Sequence, residues 1–472
     1  MPGYYVENFG CRATQADGAA LERQFADQGL NRASSASQAS VVVLNTCTVT
    51  SAADQDARSA IRRVRRQNPE ARIVVTGCYA QRAPDEIASL PGVSLVIGNS
   101  HKHQLAEIAR CTPAGVPRPE TTFVPLSGLT ENRELKTENS IFVSDIFAHT
   151  ELLAAPVFDA ANERTRPNLK IQDGCDNRCS FCVIPYVRGQ SRSLEPSRII
   201  QEINTLVEAG YREVVISGIN LGRWGRDLPH KTSTISERPR TNDRRLVALI
   251  RTILAETSLE KLRISSVEPM DWSDELIELV ATSPRIAKHA HVPMQSGSDA
   301  VLRRMHRKYR PWHYRERIEK IRAAMPDAAI GADVMVGFPG ETDTEFESTR
   351  QMIEDLPLTY LHVFTYSARP GTPAAKMTNQ IPVHIARERN RILRDLASEK
   401  KLAFMRGFIG KTVEAITLSA VGTDESGEFT EALTDNYLRF RLDGRHEPNR
   451  WQMATVQRAK GGSLVGSLFA DQ

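Results

Sequence analysis

The stretch "GCDNRCSFC" (174–182) places three cysteines, Cys175, Cys179 and Cys182, within nine residues. Thiols that close in sequence must share one environment, so this loop limits the fold around it. The chain has seven cysteines, an odd number, which argues against a disulfide framework. Metal or redox chemistry explains them better. Iron–sulfur clusters are held by cysteine thiolates, four for a complete shell. Three would leave one iron open to a small molecule. Structural zinc is the competitor, but it takes four protein ligands, usually as two separated pairs. No histidine or fourth cysteine follows at a suitable spacing.

The surroundings of the loop define its architecture. A chain of 472 residues has room for roughly three domains. Residues 1–112 alternate short apolar runs with helix-like stretches. "YYVENFG" (4–10), "VVVLNT" (41–46), "RIVVTG" (72–77) and "VSLVIG" (93–98) are predicted strands. Strands alternating with helices imply a parallel sheet flanked by helices. Residues 113–160 break the pattern and are expected to be a linker in which "SIFVSDIF" (140–147) alone looks like a strand. Over 161–402 six β/α units follow, with strands at 168–172, 213–218, 261–266, 289–294, 330–338 and 360–367. That repetition predicts an α/β fold of the barrel type, a partial (β/α)6 barrel whose site lies at the C-terminal ends of its strands. Residues 226–243 are expected to be an inserted surface loop. After a basic helix (384–406), residues 403–472 alternate in the manner of a small antiparallel β domain.

A second trio is dispersed. Cys11, Cys47 and Cys78 each stand at the end of a predicted parallel strand. Parallel strands point the same way, so the three thiols fall on one edge of one sheet, where open α/β sheets place their ligands. Three thiols again suit a cluster with one open iron. Cys111 has no partner motif and is expected to be incidental.

On these motifs the chain resembles the radical S-adenosylmethionine (SAM) methylthiotransferases. "GCRATQAD", "LNTCTVT" and "TGCYAQ" resemble that family's N-terminal cluster domain, and "KIQDGCDNRCSFCVIPYVRGQSRS" its radical SAM segment. "HVPMQSGSD" (291–299) and "DVMVGFPGET" (333–342) resemble later barrel signatures, and the C-terminal domain resembles the TRAM module. "NTCTVT", "GCYAQ" and "KIQDGC" look most like the MtaB-type branch, which acts on threonylcarbamoyladenosine in tRNA. One departure is Thr14, where the family commonly has Asn.

The resemblance implies two [4Fe-4S] clusters with divided work. The cluster on Cys175, Cys179 and Cys182 would bind SAM and start the radical chemistry. The cluster on Cys11, Cys47 and Cys78 would carry the inserted sulfur, and a second SAM would supply the methyl group. Phe181, Gly218, Asn220, Glu268, Gln295 and Arg192 become candidates for SAM contacts, as does Arg188 for a phosphate or the SAM carboxylate. Implied partners are the tRNA anticodon stem-loop, an electron donor such as flavodoxin or ferredoxin, and a sulfur donor. The family's other branches act on isopentenyladenosine in tRNA or on an aspartate of a ribosomal protein. An alternative from another class is a non-catalytic, metal-stabilised tRNA-binding protein.

For tRNA, "RSAIRRVRR" (58–66) and "RRMHRKYRPWHYRERIEK" (303–320) are candidate basic surfaces, the second interleaved with aromatics. The net charge of +4 neither demands nor excludes nucleic acid. From Met405 onward eight Lys/Arg face nine Asp/Glu, so contacts there would fall to Arg439, Arg441, Arg458 and Lys460. "MPGYYVENFG" has no basic stretch leading into an apolar one, so a reducing, cytoplasmic setting away from membranes is expected.

Overall fold

The computed structural model describes residues 3–111, 140–148, 152, 166–229, 244–424 and 427–469. The chain forms two compact units, one of Met1–Leu153 with Tyr186–Arg188, the other of Ala154–Pro185 with Gly189–Gln472.

The first unit is built on a parallel sheet. Its strands run in the order Asn31–Arg32, Gly3–Asn8, Val41–Thr46, Arg72–Gly77, Val93–Ile97 and Ser140–Phe142. The strand expected in the connecting stretch is therefore present, and it extends this sheet by pairing with Leu95–Ile97. Both faces are covered. Leu21 and Phe25 of helix Arg12–Asp27, with Leu105 and Ala106, pack on Tyr4, Val43, Val74 and Ile97. Ala57, Ile61 and Val64 of helix Ser51–Gln67 pack on Val42, Leu44, Ile73 and Val75. Strands buried on both sides read as continuous apolar runs, which is why "VVVLNT" and "RIVVTG" lack alternation. The order reverses between Gly3–Asn8 and Val41–Thr46, which makes their C-terminal ends the switch point of a doubly wound sheet.

The second unit opens with six parallel strands in sequential order: Asn168–Asp173, Glu213–Gly218, Lys261–Ile264, His289–His291, Ala329–Val336 and Tyr360–Thr365. Bridges Leu262–Ile286 and Ser266–His291 join the two halves into one curved wall. Among the described residues the sixth and first strands are not paired, so the barrel is partial. Alternate residues split between two layers. Ile330, Ala332, Val334 and Val336 join the apolar core, while Asp333 and Met335 lie half-buried on the opposite face of the strand.

The C-terminal strands close into a five-stranded barrel. Its order is Thr412–Asp424, Gly427–Thr434, Arg439–Asp443, Ser463–Leu468, Trp451–Lys460. The module is an antiparallel β domain as expected, with one strand pair, Arg439–Asp443 and Ser463–Leu468, running in parallel. That closure is the Greek-key pattern of an OB-fold. Its turn before Arg439 seals the N-terminal end of the β/α barrel. Arg263 donates to the Asp435 carbonyl at 3.0 Å and lies 5.3 Å from the Tyr437 ring. Inside, Arg263 pairs with the fully buried Glu213 at 2.5 Å. The open end is therefore the one carrying the three-cysteine loop. Of the expected insertion at 226–243, residues 230–243 lie outside those described. Among the described residues no helix is long and apolar enough to cross a membrane.

Candidate active site

The loop after the first barrel strand is fastened at several points. Gln172 holds it: its side-chain amide donates to the Gly174 carbonyl (2.8 Å) and to Ser191 (2.9 Å), and its oxygen accepts from Asn220 N (2.7 Å). Ser180 donates from its backbone to Met305 O and from its hydroxyl to Arg304 O, at 3.1 and 2.7 Å. Cys182 N donates to Cys179 O at 3.1 Å, which turns the chain so that the three thiols gather. Burial pushes the Cys182 thiol up to about 12, helped by Cys179. Burial also raises Cys175.

Polar hydrogens point at the sulfurs. Arg307 Nη1 donates to Cys179 Sγ at 3.3 Å, and Asn220 Nδ2 to Cys175 Sγ at 3.7 Å. Arg307 is buried and also pairs with Glu268. A pocket beside Cys179 is lined by Asn177, Arg223, Glu268, Arg307 and Tyr309. A carboxylate and a guanidinium side by side suit a zwitterionic amino acid end. Three clustered thiols, N–H groups aimed at two of them and such a pocket fit a three-thiolate [4Fe-4S] cluster with SAM.

The structure also brings the dispersed trio together. Cys47 is buried, and burial with Cys78 and Cys11 nearby pushes its thiol up to about 12. Asn99 Nδ2 donates to Cys78 Sγ at 3.6 Å, and Thr14 Oγ1 lies 3.7 Å from Cys11 Sγ. Beside them, Lys102 and Arg188 share Asp17, each at 3.0 Å, and all three are buried. Two cations on this one carboxylate leave a formal positive surplus near Cys47 and Cys78, although burial lowers the Lys102 pKa from its ordinary value. An anionic thiolate cluster would balance it, so this donor set also fits.

Glycines set the approach. Gly10, Gly77 and Gly174 each precede a cysteine with φ of 101°, 99° and 70°. A Cβ on Gly10 would meet Cys47 Cβ at 2.5 Å, and one on Gly174 would meet Gln190 O at 1.9 Å. The repeated Gly-Cys pair was the sequence signal for them. Gln172, Arg307 and Asn99 had no such signal.

The remaining candidates divide. Glu268 and Asn220 reach the thiol loop. At Gly218 the close neighbour is Gln172, whose Oε1 would lie 2.8 Å from a Cβ there. Phe181 packs edge-on against Phe338 at 6.5 Å. Gln295 holds a left-handed φ of 60° while its backbone pairs with Asp333 and Met335, a strained state typical of functional positions. Arg192 is buried beside Asp173 in a short edge strand. Arg188 corrects its expectation: its buried guanidinium pairs with Asp17 in the first unit.

The run 303–320 is largely paired with carboxylates, the run 58–66 only in part. Within 303–320, Arg304 pairs with Glu345, Arg315 with Asp355, and Arg317 and Lys320 with Asp274. Tyr309 and Tyr314 are buried, and of that run's aromatics Trp312 is exposed. In 58–66, Arg58 pairs with Glu86 and Arg63 with Glu7. Arg441 lies over Phe429 in the C-terminal barrel. Cys111 ends helix Leu105–Cys111 and is exposed.

Comparison with known proteins places these features. Residues 3–98 match the family described as Uncharacterized protein family UPF0004, and residues 169–353 match the Radical SAM superfamily. The threonylcarbamoyladenosine tRNA methylthiotransferase MtaB of Bacillus subtilis is 35% identical over 438 residues, covering 93% of this chain and 90% of that protein. The tRNA-2-methylthio-N(6)-dimethylallyladenosine synthase of Novosphingobium aromaticivorans is 34% identical, covering 88% and 86%. Among solved structures, the radical S-adenosylmethionine methyltransferase TsrM of Kitasatospora setae superposes with a TM-score of 0.53 at 15% identity, covering 91% of this chain and 84% of that one. At that identity the likeness concerns the fold alone.

Proposed function

The chain belongs to the radical SAM methylthiotransferase family of the MtaB type, and from that premise we propose that it converts N6-threonylcarbamoyladenosine next to the tRNA anticodon to its 2-methylthio derivative. One observation carries the reading. Two separate sets of three thiols each converge where the topology presents ligands, one at the mouth of a partial barrel and one at the switch point of a parallel sheet. One set would suffice for radical chemistry alone. A second set is what sulfur insertion requires.

When bound, two [4Fe-4S] clusters and SAM supply the one-electron chemistry, the sulfur and the methyl group. The protein's own part is positional. Cys175, Cys179 and Cys182 would hold one cluster, with Arg307 and Asn220 directing N–H groups at the Cys179 and Cys175 side chains. Glu268 and Arg307 would orient the charged end of SAM. Cys11, Cys47 and Cys78 would hold the other cluster, with Asn99 on Cys78 and the Lys102–Asp17–Arg188 group balancing charge. Phe181, Gly218, Gln295 and Arg192 stay candidates for the SAM surround. The OB-like barrel would serve as the TRAM module that holds tRNA, and an external electron donor and sulfur donor in the cytoplasm would complete the cycle.

The test is nucleoside analysis of tRNA from a strain lacking this protein. We expect 2-methylthio-threonylcarbamoyladenosine to vanish and to return on complementation. Its unchanged persistence would overturn the substrate. Loss of the dimethylallyladenosine derivative in its place would move the chain to the sister branch.

A further inference from the structure

The barrel holds a second cluster of ligand-type side chains, away from both cysteine sets. His291 ends the fourth strand, Asp333 lies within the fifth and His362 within the sixth. Asp333 is the direct register partner of His362, and His291 pairs with Gly331, two residues before Asp333. A spacing of two keeps side chains on one face of a sheet, so all three project from the same side of the wall. That side is opposite the one on which Ile330, Ala332 and Val334 pack into the core.

One ligand atom from each residue lies within 4.8 Å of the other two. His291 Nε2 stands 3.4 Å from Asp333 Oδ1, and His362 Nδ1 stands 3.7 Å from the same oxygen. Both gaps exceed the usual hydrogen-bond range of about 2.7–3.2 Å. They approach the spacing of about 3.3–3.4 Å between ligands around a tetrahedral ion with bonds of about 2.0–2.1 Å. Among the described residues His291 Nε2 is buried without a hydrogen-bond partner. The ring of Tyr360 lies 6.0 Å from His291 and 5.5 Å from His362, fixing both imidazoles, and its hydroxyl is tied to His289 at 2.7 Å. Gly331 makes room for that ring, since a Cβ there would meet Tyr360 Cζ at 2.0 Å.

We propose that His291, Asp333 and His362 form a binding site for one first-row divalent ion of the zinc class, separate from the clusters. Two imidazoles and one carboxylate suit a borderline transition ion. Calcium and magnesium prefer more oxygen ligands than one carboxylate offers. Three protein ligands leave at least one position open, as in catalytic and substrate-holding zinc sites. His362 is half exposed, so the ion can be reached from solvent and can take an oxygen ligand from a molecule in the barrel. The inference does not depend on which nucleoside the enzyme modifies.

The test uses the holoenzyme, anaerobic and with both clusters loaded, titrated with Zn2+ and desalted. We expect about one zinc per chain, with a nitrogen/oxygen shell at about 2.0–2.1 Å and no sulfur near 2.3 Å by X-ray absorption. His362→Ala and Asp333→Asn should each weaken zinc retention at least ten-fold and keep the iron content. Zinc held through sulfur, retention unchanged in both variants, or no stoichiometric zinc at all would each overturn the site. Should a variant also lose iron, the shell measured on the unaltered protein decides alone.

Discussion

The two thiol sets do the same arithmetic by opposite means. Cys175, Cys179 and Cys182 lie within one short loop, whose turn is held locally by Gln172 on Gly174 and is tied by Ser180 to the distant Arg304. Cys11, Cys47 and Cys78 are brought together by a sheet, so their geometry depends on strand register across the whole N-terminal unit. A loop site can be moved between folds, whereas a sheet-edge site exists only if the fold forms. The surroundings differ too. The loop has a guanidinium and a carboxylate at a pocket, suited to a small zwitterion. The sheet edge has the buried Lys102–Asp17–Arg188 group beside its thiols, suited to an anionic cluster.

The sharpest way to break this division is to remove one thiol from each set. Cys175→Ala should reduce SAM cleavage to 5′-deoxyadenosine to background and stop methylthiolation. Cys47→Ala should keep SAM cleavage and lose only the methylthiolated product. Each should lose about half the iron. If Cys47→Ala also lost SAM cleavage, the two sets would not have separate tasks.

Glycine substitutions come next. Gly10→Ala places a Cβ against Cys47, and Gly174→Ala places one against Gln190 O, both at positive φ. The backbone term alone costs about 1–2 kcal/mol. Gly10→Ala should strip the N-terminal iron and spare the other cluster, and Gly174→Ala the reverse. Iron analysis with electron paramagnetic resonance separates the two, and equal loss from both sites in either variant would refute the independence.

Arg307→Gln tests the polar shell. It removes the N–H on Cys179 and leaves Glu268 without its cation. We expect SAM cleavage to fall about 10–100-fold with both clusters retained, as is typical when a group behind a ligand is lost. The cluster's reduction potential should become more negative, because a positive charge beside a thiolate favours the reduced, more anionic state. Asn99→Ala should act on the N-terminal cluster alone. An unchanged potential in Arg307→Gln would leave the residue a structural role only.

Cluster loading should depend on pH in the same direction for both sets. Cys47 and Cys182 are each pushed to about 12, above the ordinary thiol value of about 8.5. Iron takes the thiolate, so loading releases protons, and protons compete with it. Iron uptake by the cluster-free protein should strengthen a few-fold or more as pH rises from about 7 to 9. Uptake independent of pH would show that the thiols are ionised already.

Much of the architecture could be read in the chain because it rests on short-range signals. Apolar runs such as "RIVVTG" end at glycine turns, and the loop cysteines are neighbours. The rest depends on pairs distant in sequence. Arg307 stands 128 positions from the cysteine it contacts. His291, Asp333 and His362 share a face only once the register of three strands is known. The run 303–320 shows the converse failure. Its composition counts cations and aromatics, but not the carboxylates that pair with them or the core that takes up Tyr309 and Tyr314.

The smallest expected effect belongs to Thr14. Its side chain is buried, its hydroxyl lies 3.7 Å from Cys11 Sγ, and its carbonyl accepts from Asn45 at 2.8 Å. At that distance a hydroxyl–sulfur contact is weak, and the carbonyl contact does not depend on the side chain. Thr14→Val keeps the shape and removes only the hydroxyl. The N-terminal cluster should assemble fully, with methylthiolation reduced less than about 3-fold, equivalent to under about 1 kcal/mol. Thr14→Asn adds volume to a packed site and should cost more through packing than it returns through hydrogen bonding. If Thr14→Val lost the cluster, the hydroxyl would be holding Cys11 in place. The sheet-edge site would then rely on a local side-chain contact, as the loop site does, and the contrast between the two would narrow.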